Sequence, residues 1–365
     1  MNELIDADAV GRLRVHLARA SPGLSLARLA ALESELGGGR LGDPSLRERT
    51  DLVSAALLAD LPQGYRALAD IVRTALGDPS FAGWTIWPVG ESVTTRALAE
   101  RDHVDDALGL LAELTPRLTS EFAIRRLLEA DLPRALPVVQ SWTVHPDEHV
   151  RRLASEGTRS FLPWAIRVRA LLASPAATLP ILDALYRDDS DYVRRSVANH
   201  LNDLARQNPD LVVETARRWL AAPDENTARL VRHGLRTLVK KAHPGALAAM
   251  GFGPVAVSVS EPELESGTVA LPGELGFGFV LTNEGATSQR MAVDYVVHFV
   301  KGNGRQAEKV FKLTSLTLDA GTSVTIAKRH AMRQMTTRVH YAGTHALEVQ
   351  VNGRRFGRTD FEVVL

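Results

Sequence analysis

The sequence contains no cysteine. This absence excludes disulfide bonds, thiol nucleophiles, iron–sulfur clusters and zinc sites built on thiolates, so packing must hold the fold together. No apolar run approaches the ~20 residues that span a bilayer. The N-terminal sequence MNELIDADAV is acidic where a secretory signal would be basic. We therefore expect a soluble, cytoplasmic protein with no membrane partner.

The chain also lacks a net charge, because 43 basic side chains balance 43 acidic ones. This balance excludes a uniformly basic coat of the kind that binds nucleic acid. The charges are unevenly distributed, however. Residues 1–150 carry 15 Lys and Arg against 22 Asp and Glu, whereas residues 151–250 carry 16 against 10. A basic surface can therefore lie within the second segment.

Several common catalytic motifs are missing as well. The sequence has no GxxxxGKS/T phosphate loop, no GxSxG elbow and no HExxH helix, and its eleven histidines are scattered. Nucleotide hydrolysis, a serine hydrolase and a zincin are therefore unsupported. We expect neither a metal nor another cofactor.

The spacing of apolar residues differs between the two halves of the chain. Up to Phe252 apolar residues recur every three or four positions, as in short helices. From Gly253 onward the runs VAVSVS, FGFVLTN, VDYVVHFV, SVTIAK and ALEVQVN alternate apolar and polar residues, as in strands, with hairpin signals at Asn303-Gly304 and Asn352-Gly353. This change predicts a multidomain protein with an all-α domain at 1–252 and an all-β sandwich at 253–365.

The helical half contains an internal repeat. The segment HPDEHVRRLASEGTRS aligns with DDSDYVRRSVANHLND at a shift of 43 positions, and ENTARLVRHGLRTLVKK is a looser copy at a shift of 34. Periods of this size are typical of helical solenoids. In the second copy the apolar spacing predicts a buried side that consists of Val193, Val197, Leu201 and Leu204.

The repeats also place an arginine, followed by acidic or hydrogen-bonding side chains, on one helix face at i, i+4 and i+8. The three rows are Arg152, Glu156 and Ser160; Arg195, Asn199 and Asp203; and Arg229, His233 and Thr237. In a single helix such a row is commonly a solvated face with intrahelical ion pairs. Its recurrence in register favours a surface that binds a polyanion.

Four separated runs of the helical half resemble one family. They are LTSEFAIRRLLEADLPRAL, HVRRLASEGTRSFLPWAIR, DDSDYVRRSVANHLNDLARQNPD and RLVRHGLRTLVKKAHPGALAAMGF. These runs are similar to the AlkC branch of the HEAT-like-repeat DNA alkylation-repair glycosylases. The resemblance implies an all-α HEAT-like repeat solenoid that clamps DNA, followed by an all-β immunoglobulin-like sandwich, which some AlkC members append.

The resemblance further implies a hydrolase of base excision repair that cleaves the N-glycosidic bond of 3-methyladenine, 3-methylcytosine and 1-methyladenine in double-stranded DNA. It points to three catalytic acids, Glu121, Glu156 and Asp203. A fixed carboxylate suits this chemistry because positive charge moves onto the deoxyribose as the bond to the base stretches. Asp203 or Glu156 would align the water. Glu121, expected in the first turn of its helix, would contact the cationic nucleotide.

Each interpretation has an alternative. The acids could be ion-pair partners of Arg125, Arg152 or Arg195. The whole chain could be a non-enzymatic repeat scaffold, or a sensor that binds alkylated DNA without cutting it. Release of free base would separate an enzyme from both. We expect a monomer that joins the nucleoid when it binds DNA.

Basic side chains of the repeats are candidates for contacts with DNA phosphates. They are Arg152, Arg159, Arg194, Arg195, Arg229, Arg232, Lys240 and Lys241. In the β half, two further DNA-binding candidates are Arg329 and Arg333, which are predicted around a loop together with Lys328 and Arg338. Passive packing is the alternative role of the β half.

One exposed aromatic contact is predicted next to the acidic repeat. Trp164, in the run FLPWAIR, is expected at the start of a helix, where it would pack on the sugar or base of the nucleotide. The alternative is a tryptophan that fills a gap between helices. Trp84 and Trp87 are expected to anchor an irregular loop.

Overall fold

The computed structural model describes residues 2–39, 42–334 and 339–365. Its first part is helical and its last part consists of strands, which confirms the predicted order of an α region and a β region. The described residues form sixteen α-helices: α1 Ala7–Ala20, α2 Ala27–Gly37, α3 Leu46–Asp60, α4 Tyr65–Leu76, α5 Ile86–Ala99, α6 Val104–Leu114, α7 Ile124–Ala130, α8 Leu132–Ser141, α9 Glu148–Glu156, α10 Arg169–Ala173, α11 Leu179–Leu185, α12 Asp191–Leu204, α13 Pro209–Ala221, α14 Thr227–Gly234, α15 Arg236–Lys240 and α16 Pro244–Ala249. Among these described helices, none combines the length and apolar character needed to cross a membrane.

Several helices begin where the sequence supplies a capping side chain. Asp6 caps α1, and Ser45 and Glu48 form a reciprocal capping box at the start of α3. Asp147 accepts a hydrogen bond from His149 N at 2.7 Å, which fixes the start of α9, the first helix of the repeat. These caps satisfy backbone N–H groups that a helix start otherwise leaves unpaired.

The repeat helices α9, α12 and α14 pack in succession, with α12 in contact with the other two. The buried side predicted for α12 is confirmed, because its four apolar side chains are at most 1% exposed. Glycine permits the close approach of α14 to α12. At Gly234 a Cβ would lie only 2.8 Å from Leu201 Cδ2.

The predicted rows of three side chains do not all lie on continuous helices. Helix α9 ends at Glu156, so Ser160 lies beyond it, and α14 ends at Gly234, so Thr237 belongs to α15. Trp87, predicted to anchor an irregular loop, lies within α5 and is 3% exposed. A proline inside the same helix, Pro88, made this segment look irregular in the sequence.

The β part consists of nine strands: β1 Val257–Val259, β2 Glu263–Leu264, β3 Thr268–Ala270, β4 Gly273–Asn283, β5 Gln289–Val300, β6 Gln306–Leu318, β7 Ser323–Met332, β8 Gly343–Val351 and β9 Arg354–Val364. In one sheet β4 pairs antiparallel with β7 and, over shorter stretches, with β1 and β2. The other sheet has the order β3-β9-β8-β5-β6, in which only β3 and β9 run parallel.

A shared apolar core joins the two sheets. It includes Phe277 and Leu281 of β4 and Val297 and Leu347 of the other sheet, all at most 2% exposed. The hairpin predicted at Asn352-Gly353 is confirmed, because both residues have positive φ values, 43° and 86°, between the paired strands β8 and β9. A two-residue turn of this kind matches the twist of the strands it joins.

Contacts divide the chain into two compact units. One contains the described residues up to Leu211 together with Trp219–Gly234, and the other contains Val212–Arg218 and Leu235–Leu365. Helices α15 and α16 therefore pack in the same unit as the strands. The boundary at 252/253 lies between α16 and β1 and stays a prediction.

Candidate active site

The three predicted acids meet in one network of ion pairs, which we call the carboxylate network: Glu121, Arg152, Glu156, Arg159 and Asp203. Arg152 donates to Glu121 Oε2, and its Nη2 lies 3.5 Å from Glu156 Oε1. Arg159 continues the chain of contacts, with Nη1 2.6 Å from Glu156 Oε1 and Nε 2.9 Å from Asp203 Oδ2. Three carboxylates and two guanidiniums leave one net negative charge.

All three carboxylates are buried, with exposed fractions of 9% for Glu121, 6% for Glu156 and 3% for Asp203. Buried charges are tolerated only when hydrogen bonds replace the lost water. Hydroxyl groups supply them here. Ser196 Oγ donates to Glu156 Oε2 at 2.6 Å, and Thr119 Oγ1 donates to Glu121 Oε2 at 3.0 Å. Ser196 lies next to the apolar residues of the buried side of α12, which was the signal in the sequence, and sequence reasoning missed it.

Each acid comes from a different repeat element. Glu156 is the last residue of α9, and Asp203 lies one residue before the end of α12. Glu121 lies in the turn before α7, not in its first helical turn as predicted. The next residue, Phe122, stacks on Trp87 with ring centroids 4.3 Å apart, which fixes the turn against α5.

Arg159 connects two of the acids from the irregular segment 157–168, which begins directly after α9. Burial opposes its charge, but the hydrogen bond to Asp203 and the negative charge of Glu156 outweigh burial, so the pKa of Arg159 is raised. Arg159 was predicted to bind phosphate. Its position corrects that prediction, since the side chain is 9% exposed and bound to carboxylates inside the protein.

A second buried arginine holds this segment in place. Arg125 donates through Nε to Ile166 O at 2.7 Å and through Nη1 to Gly157 O at 2.8 Å and Arg159 O at 2.7 Å. Burial, followed by the charges of Arg167 and Arg159, lowers the pKa of Arg125 to about 10. Arg125 was a predicted ion-pair partner of the acids, and it binds backbone carbonyls instead.

Trp164 is presented by the same segment. It is 66% exposed and has a φ of 62°, in the left-handed region that tryptophan rarely adopts. The predicted helix start is wrong, because the next helix, α10, begins at Arg169. The alternative of a tryptophan that fills a gap between helices is also wrong. The ring is exposed on the segment that also carries Arg159, so it is available for stacking on a ligand.

His200 of α12 is fully buried. Its Nδ1 lies 3.0 Å from Ser155 O, a hydrogen-bond acceptor, so Nδ1 carries the proton. Its Nε2 lies 3.1 Å from Thr178 Oγ1. Burial, reinforced by the charge of Arg159, lowers the pKa of His200 to about 3. The ring is therefore neutral and acts as a structural connector.

The predicted phosphate contacts on α12 and α14 differ in accessibility. Arg195 and Arg229 have side chains that are 66% exposed, and both pair with Asp191. They border an open cavity of about 170 Å³. Arg194 is 9% exposed and donates to the carbonyls of Asp188 and Asp189, which corrects its predicted availability.

The remaining candidates for contacts with DNA differ in their surroundings. Arg232, Lys240, Lys241 and Arg333 have exposed side chains. Arg329 lies within β7 rather than in a loop, and it pairs with Glu265 at 2.7 Å. Arg338 falls outside the described residues. Among the described side chains, no group of three or more His, Asp or Glu is arranged to hold a metal ion.

Two family models match the chain. One, described as "DNA alkylation repair enzyme", covers residues 118–236, which include all three acids of the carboxylate network. The other, described as "Uncharacterised protein YhaZ, C-terminal Ig-like domain", covers residues 258–365. The second match identifies the β-rich part as an immunoglobulin-like domain, as predicted.

Two proteins match nearly the whole chain. "Uncharacterized protein YhaZ" of Bacillus subtilis is 33% identical over 320 residues, which are 87% of this chain and 87% of that protein. The solved structure of the Pseudomonas fluorescens alkylpurine DNA glycosylase AlkC, bound to DNA containing an abasic site analog, is 33% identical. It covers 100% of this chain and 99% of that chain with a TM-score of 0.84.

Proposed function

Because this chain belongs to the AlkC-type family of DNA alkylation repair enzymes, we propose that it hydrolyses the N-glycosidic bond of cationic alkylated bases in double-stranded DNA. The proposed substrates are 3-methyladenine, 3-methylcytosine and 1-methyladenine. The proposed catalytic residues are Glu121, Glu156 and Asp203. The observation that carries the proposal is their convergence, from three elements, in one buried network with a net negative charge.

The chemistry depends on the charge of the substrate. A base methylated on a ring nitrogen is positively charged, so it leaves as a neutral molecule when the bond from C1′ breaks and the electron pair stays with the base. The sugar then carries the positive charge as an oxocarbenium ion. Water attacks C1′, and its proton passes to a carboxylate, which leaves an abasic sugar with a hydroxyl group at C1′.

Fixed carboxylates stabilise that sugar cation without reorganising during the reaction. At an effective dielectric near 20, two unit charges ~4 Å apart attract each other by about 4 kcal/mol. If half of this attraction arises only in the transition state, the rate rises about 30-fold. In this proposal Asp203 or Glu156 aligns the water, and Glu121 contacts the cationic nucleotide.

The exposed groups around the network have a binding role in the proposal. Trp164 would pack on the sugar or base, since its ring is exposed on the same segment as Arg159. Arg195 and Arg229 would contact phosphates, because both guanidiniums are accessible. We further propose that the protein acts as a monomer in the cytoplasm and joins the nucleoid when it binds DNA.

The test is single-turnover release of 3-methyladenine from methylated duplex DNA by Glu121→Gln, Glu156→Gln and Asp203→Asn. The matched control is Glu91→Gln. Glu91 is also buried and ion-paired, at 3.4 Å from Arg126, but its partners are Arg126 and Trp87 rather than members of the network. Thermal unfolding of each variant identifies losses that come from misfolding.

We expect the Glu156 and Asp203 variants to lose at least ~30-fold in rate while folded, and the Glu91 control to retain its rate. Unchanged rates in all three network variants would refute the catalytic assignment. Retention of methylated DNA without any release of base by the unmodified protein would identify a sensor instead of an enzyme.

A further inference from the structure

Two exposed arginines follow members of the carboxylate network along the chain, and no carboxylate of the described residues pairs with them, unlike Arg195 and Arg229, which pair with Asp191. The guanidiniums of Arg167 and Arg206 lie 5.0 Å and 4.9 Å from the centroid of the Phe161 ring. Both side chains are exposed. Within the part of the chain that the structure describes, neither forms an ion pair. We call Phe161, Arg167 and Arg206 the arginine platform.

The platform adjoins the network through the chain itself. Phe161 comes two residues after Arg159, and the backbone N–H of Arg206 donates to Asp203 O at 3.1 Å. The two segments that meet in the Arg159–Asp203 ion pair therefore meet again where Arg206 contacts Phe161. A ligand bound on the platform would therefore lie near the two segments that carry Arg159 and Asp203.

The platform is also held in a defined conformation. Arg125 binds carbonyls at both ends of the segment that carries Phe161 and Arg167. Arg167 bends back toward Leu162 O, with Nη1 at 3.4 Å, while its guanidinium contacts the ring. Stacking on an aromatic face leaves the edge of a guanidinium free to donate hydrogen bonds. Little ordering of the segment that carries Phe161 and Arg167 is therefore needed when an anion binds.

Local electrostatics favours an anion at this place. The charge of Arg167 is one of the causes, after burial, that lower the pKa of Arg125, while the charges of Asp203 and Glu121 act in the opposite direction. Two guanidiniums that lie about 5 Å from the same ring centroid concentrate positive charge at one place. Guanidiniums match the oxygens of a phosphate group by paired hydrogen bonds.

We propose that Phe161, Arg167 and Arg206 form a phosphodiester-binding site that grips the DNA strand next to the carboxylate network. The site is distinct from the contacts predicted on α12 and α14, whose arginines share Asp191. The inference rests on the proposed function for the identity of its ligand. Its role is to position the strand, so it contributes to binding rather than to the bond-breaking step.

The test is the salt dependence of binding to unmodified duplex DNA by Arg167→Gln, Arg206→Gln and the double variant. Each lost phosphate contact makes the slope of log affinity against log salt less steep by about 0.9. At ~0.1 M salt this corresponds to an affinity that is about eightfold weaker, relative to the affinity at ~1 M salt. We expect that loss from each single variant and about twice the slope change from the double variant. Arg206→Lys keeps the charge and should keep the slope.

The matched control is Arg47→Gln. Arg47 is likewise exposed and lies 5.6 Å from the centroid of the Trp87 ring, but it pairs with Asp51 at 3.1 Å. An unchanged slope in the double variant, or an equal fall in the Arg47 control, would overturn the proposal. The binding measurement does not depend on glycosylase activity, so failure of the proposed function would be seen separately, as absence of base release by the unmodified protein.

Discussion

The arginines that begin the three repeat rows differ in burial: the arginine of the first copy is mostly buried, and those of the second and third copies are exposed. Arg152 in the first copy has a side chain that is 16% exposed and binds Glu121. Arg195 and Arg229, at the corresponding positions of the second and third copies, are 66% exposed and share Asp191. The same residue type at the same repeat position therefore serves a buried ion-pair network in one copy and an accessible basic surface in the others.

The difference arises from the segment that comes after each helix. Helix α9 ends at Glu156, and the irregular segment 157–168 then places Arg159 over the acids. Helix α12 continues to Leu204 without such a break, and Arg195 and Arg229 stay 66% exposed. Periodicity defines the face of a helix, but the connecting segment decides how deeply that face is buried.

The strongest test of this contrast is to remove one arginine from the buried carboxylate network and one from the exposed basic surface. Arg159→Met leaves Glu156 and Asp203 buried without their shared partner, so we expect a loss of about 3–5 kcal/mol in the free energy of unfolding. Arg195→Met breaks an exposed pair and should cost less than about 1 kcal/mol. Urea unfolding of the two variants measures both. Equal losses would contradict the distinction between the network and the exposed surface.

A second test uses pH. The pKa of His200 is depressed to about 3, so the unfolded chain takes up a proton before the folded protein does as the pH falls. The contribution of the neutral His200 ring to the free energy of unfolding is complete above about pH 6.5, and it is lost progressively as the pH falls from 6.5 to 3. We expect about 2 kcal/mol less stability at pH 5 than at pH 8 from this group.

Unfolding at both pH values with His200→Gln measures that contribution, because the variant should lose this part of the pH dependence. His233→Gln should retain it, since His233 lies on the surface of α14. Identical pH profiles for the unmodified protein and the His200 variant would show that the buried ring is not responsible.

The smallest expected effect concerns the exposed basic surface alone. Asp191→Asn removes the carboxylate that Arg195 and Arg229 share, so both should contact DNA phosphates more strongly. We expect a stability change below about 1 kcal/mol and a steeper salt dependence of duplex binding, by up to ~0.9 for each released contact. Asp51→Asn, which releases Arg47, is the control. An unchanged slope would show that these arginines do not reach the DNA.

The sequence predicted the fold class, the buried side of α12 and the Asn352-Gly353 hairpin, because local periodicity and turn chemistry determine these features. It did not predict the course of 157–168. The run that contains Trp164 has helix-like spacing, but Arg125, more than thirty residues earlier, holds the segment in an irregular path. Hydrogen bonds between residues so far apart in the sequence are not indicated by the neighbouring residues of either partner.

The burial of the basic candidate residues could not be predicted from the sequence either. Arg159 and Arg194 were predicted as surface groups, and both are 9% exposed. An arginine that binds phosphate and one that holds buried carboxylates look alike in a sequence, since the guanidinium suits both partners. The three acids were identified by resemblance, and their catalytic role stays a prediction, while their mutual contacts are visible only in the structure.

The C-terminal ends of α9 and α12 contribute a negative electrostatic potential near the acids that side chains do not supply. Aligned peptide dipoles place about half a negative charge at the C-terminus of a helix, where a basic residue is usually preferred. Helices α9 and α12 have no basic residue in their last turns, and they end at or next to Glu156 and Asp203. Backbone carbonyls therefore reinforce the preference for a cation, and part of that preference should survive any substitution of the two acids.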